Sequence, residues 1–92
     1  MEKVRAHVIV TGQVQGVYFR AHTREQALSL EVAGWVRNRP DGTVEGVFEG
    51  EKENVGKLIE WCREGPPRAG VSGVHVNWEE YRGDFSSFGI TF

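Results

Sequence analysis

The residues best suited to chemistry lie in one segment, Gly12-Gln13-Val14-Gln15-Gly16-Val17-Tyr18-Phe19-Arg20. A glycine-containing loop that leads into a helix presents unpaired backbone N–H groups and the positive end of the helix dipole, and both favour an anion. Consecutive N–H groups can also form a concave nest around phosphate oxygens. Arg20 follows at once, and its guanidinium can grip two phosphate oxygens together. The segment predicts a phosphate-binding loop, although spacing alone is also compatible with an ordinary turn followed by a solvated arginine.

A second candidate residue, Asn38, precedes the turn Pro40-Asp41-Gly42-Thr43. Its side-chain amide can accept a hydrogen bond from a water molecule and donate one to it, so it can hold water without titrating. By position alone, a turn residue that bonds its own backbone is the simpler interpretation. Trp35 is expected in the core. Arg37 and Arg39 share a face by the two-residue period of a strand and are expected to be solvated.

The other residues with reactive side chains show no spacing that predicts a further site. His7, His22 and His75 are far apart in the sequence, and none has ligand spacing with Cys62, so we predict no metal site. Cys62 falls within an apolar helical pattern and is expected to be buried. His22 is close to Arg20 and could tune phosphate binding, but a surface histidine is the simpler expectation.

The patterns around these residues indicate which elements must position them. Apolar and polar residues alternate over residues 4–10, which predicts a first strand. Thr23, Ala27 and Leu30 then recur at helical spacing, which predicts an amphipathic helix over residues 20–30. The candidate loop therefore joins the first strand to the first helix.

The remainder of the chain continues the alternation of strands and helices. Residues 35–39 and 44–48 predict a hairpin around the Pro-Asp-Gly-Thr turn. Residues 55–62 follow helical spacing, and a Gly-Pro-Pro sequence ends that helix. Alternating apolar residues predict a fourth strand over residues 74–78 and a short closing strand over residues 88–92.

The order strand, helix, strand, strand, helix, strand predicts an α+β fold. It is typical of the ferredoxin-like split βαβ sandwich, in which an antiparallel sheet carries both helices on one face. With 92 residues, the chain is expected to form one domain over residues 1–92. This fold hosts enzymes, RNA binders and regulatory modules, so the architecture alone does not predict the function.

Charge and composition limit the classes of partner. The formal net charge of −2 argues against nucleic acid as the main partner, whereas the four arginines between residues 20 and 39 suit a small anion. A single cysteine excludes an internal disulfide, and no apolar run approaches the ~20 residues of a membrane helix. The first residues are too polar for a signal peptide. We expect a cytoplasmic protein without membrane association and, since no spare apolar stripe is visible, a monomer.

The two candidate segments are similar to the signatures of the acylphosphatase family. The first matches Gly-x-Val-Gln-Gly-Val-x-Phe-Arg without a gap, and residues 34–45 match Gly-Trp-Val-x-Asn followed by the Asp-Gly hairpin and Val-Glu. Glu49-Gly50, Trp61 and Gly65-Pro66 also fit the family's layout, so the resemblance covers essentially the whole chain. It implies a small ferredoxin-like hydrolase that converts an acyl phosphate to a carboxylate and inorganic phosphate by direct attack of water. The family needs no metal or other cofactor.

The resemblance also implies roles for individual residues. Arg20 matches the family's substrate-binding arginine and Asn38 its water-positioning asparagine, and these are the two predicted catalytic residues. The substrate phosphate is expected to contact mainly backbone N–H groups of one loop, namely those of Gln15, Gly16, Val17, Tyr18, Phe19 and Arg20. Residue 18 is variable in the family, so Tyr18 receives only a backbone role. Glu31 is a departure, because members often have glycine there, and it must adopt strained angles or let the helix end differently.

Other functions remain compatible with the sequence. A phosphate-binding module without turnover would retain Arg20 but would leave Asn38 little to do. An RNA binder would show exposed aromatic residues with basic neighbours, and the Lys/Arg-Gly-Phe/Tyr motif of such proteins is absent. A scaffold with incidental hydrolysis is a third possibility. The physiological substrate is open, because acetyl phosphate, carbamoyl phosphate and bisphosphoglycerate share the same reacting group.

Overall fold

The computed structural model describes residues 2–92, so the predicted domain boundary at residue 1 lies outside the described residues. Every predicted element is present, and its bounds differ from the prediction by a few residues. In chain order the elements are β1 (Lys3–Gln13), α1 (Phe19–Ser29), β2 (Ala33–Asn38), β3 (Val44–Glu51), α2 (Lys52–Glu64), β4 (Gly70–Glu79) and β5 (Phe88–Ile90).

The sheet has five strands in the order β4-β1-β3-β2-β5. The pairs β1–β3, β1–β4 and β2–β3 are antiparallel, as expected for the ferredoxin-like α+β fold, which is confirmed. The pair β2–β5 is parallel, so the sheet is mixed and not antiparallel throughout. The difference arises because β4 and β5 lie at opposite edges, and the chain crosses the sheet between them and enters β5 in the direction of β2.

The strand directions determine where a site can form. Both β1 and β2 are antiparallel to β3, so they run the same way, and β5 runs parallel to β2. The carboxyl ends of these three strands therefore lie at the same end of the sheet. Helix α1 also begins at this end of the sheet, because it follows β1 after a loop of only a few residues.

Both helices pack on one face of the sheet, as predicted. A single hydrophobic cluster unites buried residues of both helices with Ala6, Val8 and Val10 of β1. Cys62 is fully buried within it, and this burial raises the pKa of its thiol to about 12. Cys62 is thus the protonated, small apolar core residue that the helical pattern predicted.

The opposite face of the sheet, called the outer face below, carries charged and polar side chains. Trp35 lies here, half-buried, so the expectation that it belongs to the core is wrong. The two-residue period of β2 sends Val36 into the core and Trp35 to the same face as Arg37, whose guanidinium lies 5.7 Å from the indole centroid. Arg37 is also less solvated than expected, because its Nε donates to Glu45 Oε1 at 2.6 Å.

Helix α1 ends in the strained conformation that was one of the two alternatives predicted for Glu31. Glu31 has φ 57°, and its N–H donates to Leu28 O at 3.3 Å. The N–H of Val32 donates to Ala27 O at 2.8 Å. These two bonds form a Schellman motif, whose left-handed position is usually occupied by glycine. The chain therefore keeps the motif and accepts a side chain at the unfavourable position.

Candidate active site

An open cleft of about 450 Å³ lies at the end of the sheet where β1, β2 and β5 finish. Four of the predicted phosphate-loop residues line this cleft, as does the second predicted catalytic residue; they are Gly16, Tyr18, Phe19, Arg20 and Asn38. The other two members of the predicted loop, Gln15 and Val17, are not part of the wall. The fold thus brings Arg20 and Asn38, 18 positions apart in the sequence, into one concave site.

The loop between β1 and α1 is shaped by two residues with left-handed backbone angles. Gly16 has φ 75° and Tyr18, the N-cap of α1, has φ 62°. Left-handed residues at every second position of a loop turn its N–H groups toward one side of the backbone. Among the hydrogen bonds within residues 2–92, none uses a backbone N–H of residues 15–20 as its donor. These donors are therefore available to a ligand, together with the positive end of the α1 dipole.

Both ends of this loop are held by the core. Val14 and Phe19 are buried, at 1% and 2% exposure. The ring of Phe19 lies 5.6 Å from the ring of Trp61 on α2. Gly65 presses against the same ring, since a Cβ added to it would lie 2.8 Å from Phe19 Cε2. The exposed part of the loop is consequently short, and the core fixes its position at both ends.

The side chain of Gln15 ties the loop to the neighbouring hairpin. Its Nε2 donates to Arg39 O and to Thr43 O, both at 2.8 Å. Sequence reasoning gave Gln15 only a backbone role and missed this link. The partners lie 24 and 28 residues further along the chain, and nothing in the local pattern of the loop indicates them.

Asn38 is the last residue of β2 and is fixed by the β2–β3 hairpin. Arg39 N–H donates to Thr43 O at 2.9 Å, and Asp41 Oδ1 accepts from the N–H and the hydroxyl of Thr43 at 3.0 and 2.6 Å. The turn predicted from Pro-Asp-Gly-Thr is confirmed. It is Asp41, and not Asn38, whose side chain caps the turn backbone.

The side-chain oxygen of Asn38 is buried and lacks a partner. Its Oδ1 accepts no hydrogen bond from any residue in the described part of the chain. A buried amide oxygen in this condition costs about 1–3 kcal/mol. Because Asn38 lines the cleft, a water molecule or a ligand there can supply the missing donor.

Arg20 supplies the positive charge of the cleft. It lies in the first turn of α1 and is half-buried. Across residues 2–92 it enters no ion pair, whereas Arg5, Arg37, Arg39 and Arg63 each do. No aspartate or glutamate from the described chain lines the cleft. The guanidinium and the helix N-terminus therefore favour an anion without competition from an aspartate or glutamate side chain of the described chain.

The end of the chain adds cleft residues that sequence reasoning missed. Ile90 and Phe92 both line the cleft. Parallel pairing brings them there, because Ile90 lies opposite Val36 and Thr91 N–H donates to Val36 O at 2.9 Å. The alternation over residues 88–92 predicted a strand but not its neighbour, and the neighbour decides which site the strand reaches.

The other candidate residues lie outside the cleft. His22 Nδ1 is 3.0 Å from Glu25 Oε1 on the surface of α1, and His7 Nε2 is 2.6 Å from Glu45 Oε2 on the outer face. Over the described residues, no group of three or more His, Cys, Asp or Glu side chains could hold a metal ion. Neither helix in that range has the length and apolar character required to cross a membrane.

Comparisons with known proteins agree with this geometry. The family model described as Acylphosphatase matches residues 6–90. An acylphosphatase from Pelotomaculum thermopropionicum is 63% identical over 92 residues, which cover 100% of both chains. The crystal structure of acylphosphatase from Bacillus subtilis superposes with a TM-score of 0.93 at 32% identity, covering 97% of this chain and 99% of that one. For an acylphosphatase structure from Coxiella burnetii, the TM-score is 0.87 at 46% identity, with 97% and 93% covered.

Proposed function

The chain belongs to the acylphosphatase family of hydrolases, and we propose that it cleaves acyl phosphates by direct, metal-independent attack of water on the phosphoryl group. In this proposal the N–H groups of residues 15–20 and the Arg20 guanidinium hold the phosphate, while Asn38 orients the attacking water. The observation that carries it is the buried Asn38 Oδ1, which lacks a donor from residues 2–92 in a cleft shared with Arg20.

Binding of the phosphoryl group is the first step. Its oxygens accept from the free N–H groups of the loop and from the forked donors of Arg20. Phosphoryl transfer requires positioning and charge stabilisation more than covalent help. Donors that are already held in place by Val14, Phe19 and the hairpin need no reorganisation as charge develops on the equatorial oxygens.

Attack by water is the second step. Asn38 Oδ1 accepts a hydrogen bond from the water and aligns it with phosphorus. The new bond forms between the water oxygen and phosphorus, and the bond between phosphorus and the acyl oxygen breaks with its electron pair. The acyl group leaves as a carboxylate, which needs no proton. No aspartate, glutamate or histidine side chain of the described chain lines the cleft, so in this proposal the proton of the water passes to an oxygen of the phosphoryl group.

The same observation favours catalysis over phosphate binding alone. A binding module needs the loop and Arg20, but it has no use for a buried amide oxygen in the cleft that accepts nothing from the described chain. A site that must place a water molecule next to phosphorus does gain from it. A role for Asn38 in holding water therefore supports turnover rather than phosphate binding alone.

The test measures release of inorganic phosphate from benzoyl phosphate in excess chelator. Wild type should turn over, and Asn38→Ala should lower kcat by about 10²-fold, comparable to the loss of one preorganised hydrogen-bonding group. Inhibition by inorganic phosphate should stay nearly the same, because Arg20 and the loop are intact. Asn77→Ala, which removes an exposed asparagine from β4, is the matched control and should behave as wild type.

Each alternative gives a different result. A change in KM alone would make Asn38 a binding residue, and loss of wild-type turnover in chelator would indicate a metal. Folded wild-type protein that binds phosphate but releases none would be a binding module.

A further inference from the structure

Tyr18 has a backbone conformation that a bulky residue rarely adopts. Its φ of 62° lies in the left-handed region, where the Cβ of an L-residue is crowded by the neighbouring carbonyl. As the N-cap of α1, it also offers no side-chain hydrogen bond to the helix. Glycine, asparagine or aspartate would suit this position better. Local structure therefore does not explain a tyrosine here.

Packing does not explain the tyrosine either. Its side chain is 72% exposed, so it contributes little to the core. Phe19 and Val14, its neighbours in the loop, are almost fully buried and hold the loop in place. Strained residues that persist without a structural benefit cluster at functional sites. Since Tyr18 lines the cleft, its exposed ring lies where it can contact substrate.

The cleft wall has two further exposed apolar residues. Ile90 is 37% exposed and Phe92 97% exposed, and both line the cleft with Tyr18. Large exposed apolar groups that converge on one concave site indicate binding of apolar surface. Within residues 2–92 the only charged side chain in the wall is that of Arg20, which the proposed function assigns to the phosphate.

We propose that Tyr18, Ile90 and Phe92 form a subsite for the acyl group of the substrate, and that it favours planar, apolar acyl groups over small or polar ones. The inference rests on the proposed function, because an acyl group bonded to a phosphoryl group at Arg20 has to lie against the cleft wall. Tyr18 contributes most, since an aromatic ring offers a flat face to a planar acyl group. A second anionic group on the substrate finds no free cation in this wall.

The test compares kcat/KM for benzoyl phosphate and acetyl phosphate in wild type, Tyr18→Ala and Tyr18→Phe. The two substrates share the phosphoryl group, so any disturbance of the phosphate loop cancels in their ratio. Tyr18→Ala should lower the benzoyl-to-acetyl ratio by about 5- to 10-fold, the value of one aromatic contact. Tyr18→Phe should keep the ratio, and Phe92→Ala should lower it by a smaller factor.

Trp78→Ala is the matched control. Trp78 is an aromatic residue of β4 that is 55% exposed and lies outside the cleft, so its loss should leave the ratio unchanged. An unchanged ratio in Tyr18→Ala, with both substrates still hydrolysed, would overturn the subsite alone. An equal loss in Tyr18→Phe and Tyr18→Ala would also overturn it, because the hydroxyl would then be the contact. If wild type hydrolysed neither substrate, the proposed function would fail, and the subsite with it.

Discussion

Two arginines, one on the outer face and one in the cleft, have opposite surroundings. Arg5 on β1 contacts three carboxylates, those of Glu79 at 2.9 Å, Glu49 at 3.1 Å and Asp84 at 3.5 Å. Arg20 on α1 has no carboxylate partner in the part of the chain that the structure describes. Carboxylates within the fold balance the charge of Arg5, whereas the charge of Arg20 is available to a ligand.

The hydrogen-bond acceptors of the two regions differ in the same way. Glu49 is 2% exposed and accepts from Arg5 and from the backbone N–H groups of Arg82, Gly83 and Asp84. Asn38 as a whole is only half-buried, but its Oδ1 is buried and accepts from none of residues 2–92. Satisfied polar networks hold a structure together, whereas a cleft acceptor that no protein group satisfies is available to water or to a ligand. The outer-face cluster therefore stabilises the fold, whereas the cleft has hydrogen-bonding groups that the described chain leaves available.

The two regions are linked through the chain between β4 and β5. Residues 80–87 cross from one edge of the sheet to the other, and Glu49 binds the backbone in the middle of this crossing. Beyond it, Gly34 N–H donates to Ser87 O at 3.0 Å, and β5 pairs with β2. The structural cluster thereby positions Ile90 at the cleft.

The largest expected effect is on stability, from Glu49→Ala. The substitution leaves the Arg5 guanidinium buried without its most buried partner and frees the N–H groups of residues 82–84. Breaking a buried pair in this way costs about 3–5 kcal/mol in the free energy of unfolding. Urea denaturation measures the loss. Glu79→Ala is the matched control, because that carboxylate also pairs with Arg5 but is 34% exposed, and it should cost at most about 1 kcal/mol.

Acid unfolding of wild type checks the same contribution. Burial alone would raise the pKa of Glu49, but the hydrogen bonds from Arg82 N–H, Arg5 and the next two backbone N–H groups outweigh it and lower the pKa. The stabilisation is therefore complete above the ordinary value of 4.5 and is lost as the pH falls through the lowered pKa. This portion of the acid dependence should disappear in Glu49→Ala. Equal losses in both glutamate variants would contradict the importance of burial.

The next effect is on activity, from Arg20→Ala. Arg20 is the only cation that the described residues bring to the cleft, and its loss should lower kcat/KM by about 10³-fold, as for other arginines that stabilise phosphoryl transfer. Inhibition by inorganic phosphate should weaken as well. Stability should hardly change, since Arg20 has no ion pair with the described chain. Arg20→Lys keeps the charge without the forked donors of the guanidinium, and its kcat/KM should lie between those of wild type and Arg20→Ala.

Arg68→Ala removes an exposed arginine outside the cleft and serves as its control. Wild-type kinetics in Arg20→Ala would remove the functional side of the comparison. A large loss of stability in that variant would blur the distinction between the two arginines.

A smaller effect is expected from Gln15→Ala, which removes the link between loop and hairpin. Gln15 donates to two backbone carbonyls and lies outside the cleft wall, so it acts by positioning the groups that contact substrate. We expect kcat to fall by about 10-fold with little change in KM, because a small displacement of Asn38 from the loop misaligns the water. Gln15→Glu should not restore the rate, since a carboxylate cannot donate to carbonyl oxygens. A larger KM with unchanged kcat would instead place Gln15 in phosphate binding.

The sequence predicted the local parts of the site and missed the non-local ones. The loop up to Arg20 and the turn after Asn38 each depend on a few adjacent residues, so their motifs were visible. The link from Gln15, the pairing of Arg5 with Glu49 and the position of Ile90 depend on strand register and on a crossing of the sheet. Side chains far apart in the sequence give no local signal of such contacts.

The misplacement of Trp35 has a related cause. A large aromatic residue suggests a core position, but the period of β2 assigns Val36 to the core and Trp35 to the outer face. The residue type favoured the core and the strand period favoured the outer face for Trp35, and the structure follows the period. The order of strands and helices along the chain was predicted correctly because hydrophobic period and turn chemistry agreed, whereas the parallel pairing of β5 with β2 was not predicted.

The smallest expected effect, from Glu31→Gly, uses the second non-glycine residue with positive φ to sharpen the comparison. Glu31 and Tyr18 have similar backbone angles, 57° and 62°, but Glu31 lies far along α1 from the cleft and ends the helix. Removing the Cβ relieves the left-handed strain, partly offset by the greater freedom of glycine in the unfolded chain, so stability should rise by about 0.5–1 kcal/mol. Activity and the benzoyl-to-acetyl ratio should not change. Glu31→Ala keeps the Cβ and should give no gain in urea denaturation, which separates strain from loss of the carboxylate. An equal gain from alanine would mean that the charge, and not the backbone, is unfavourable at this position, and the argument that Tyr18 is strained would lose its internal reference.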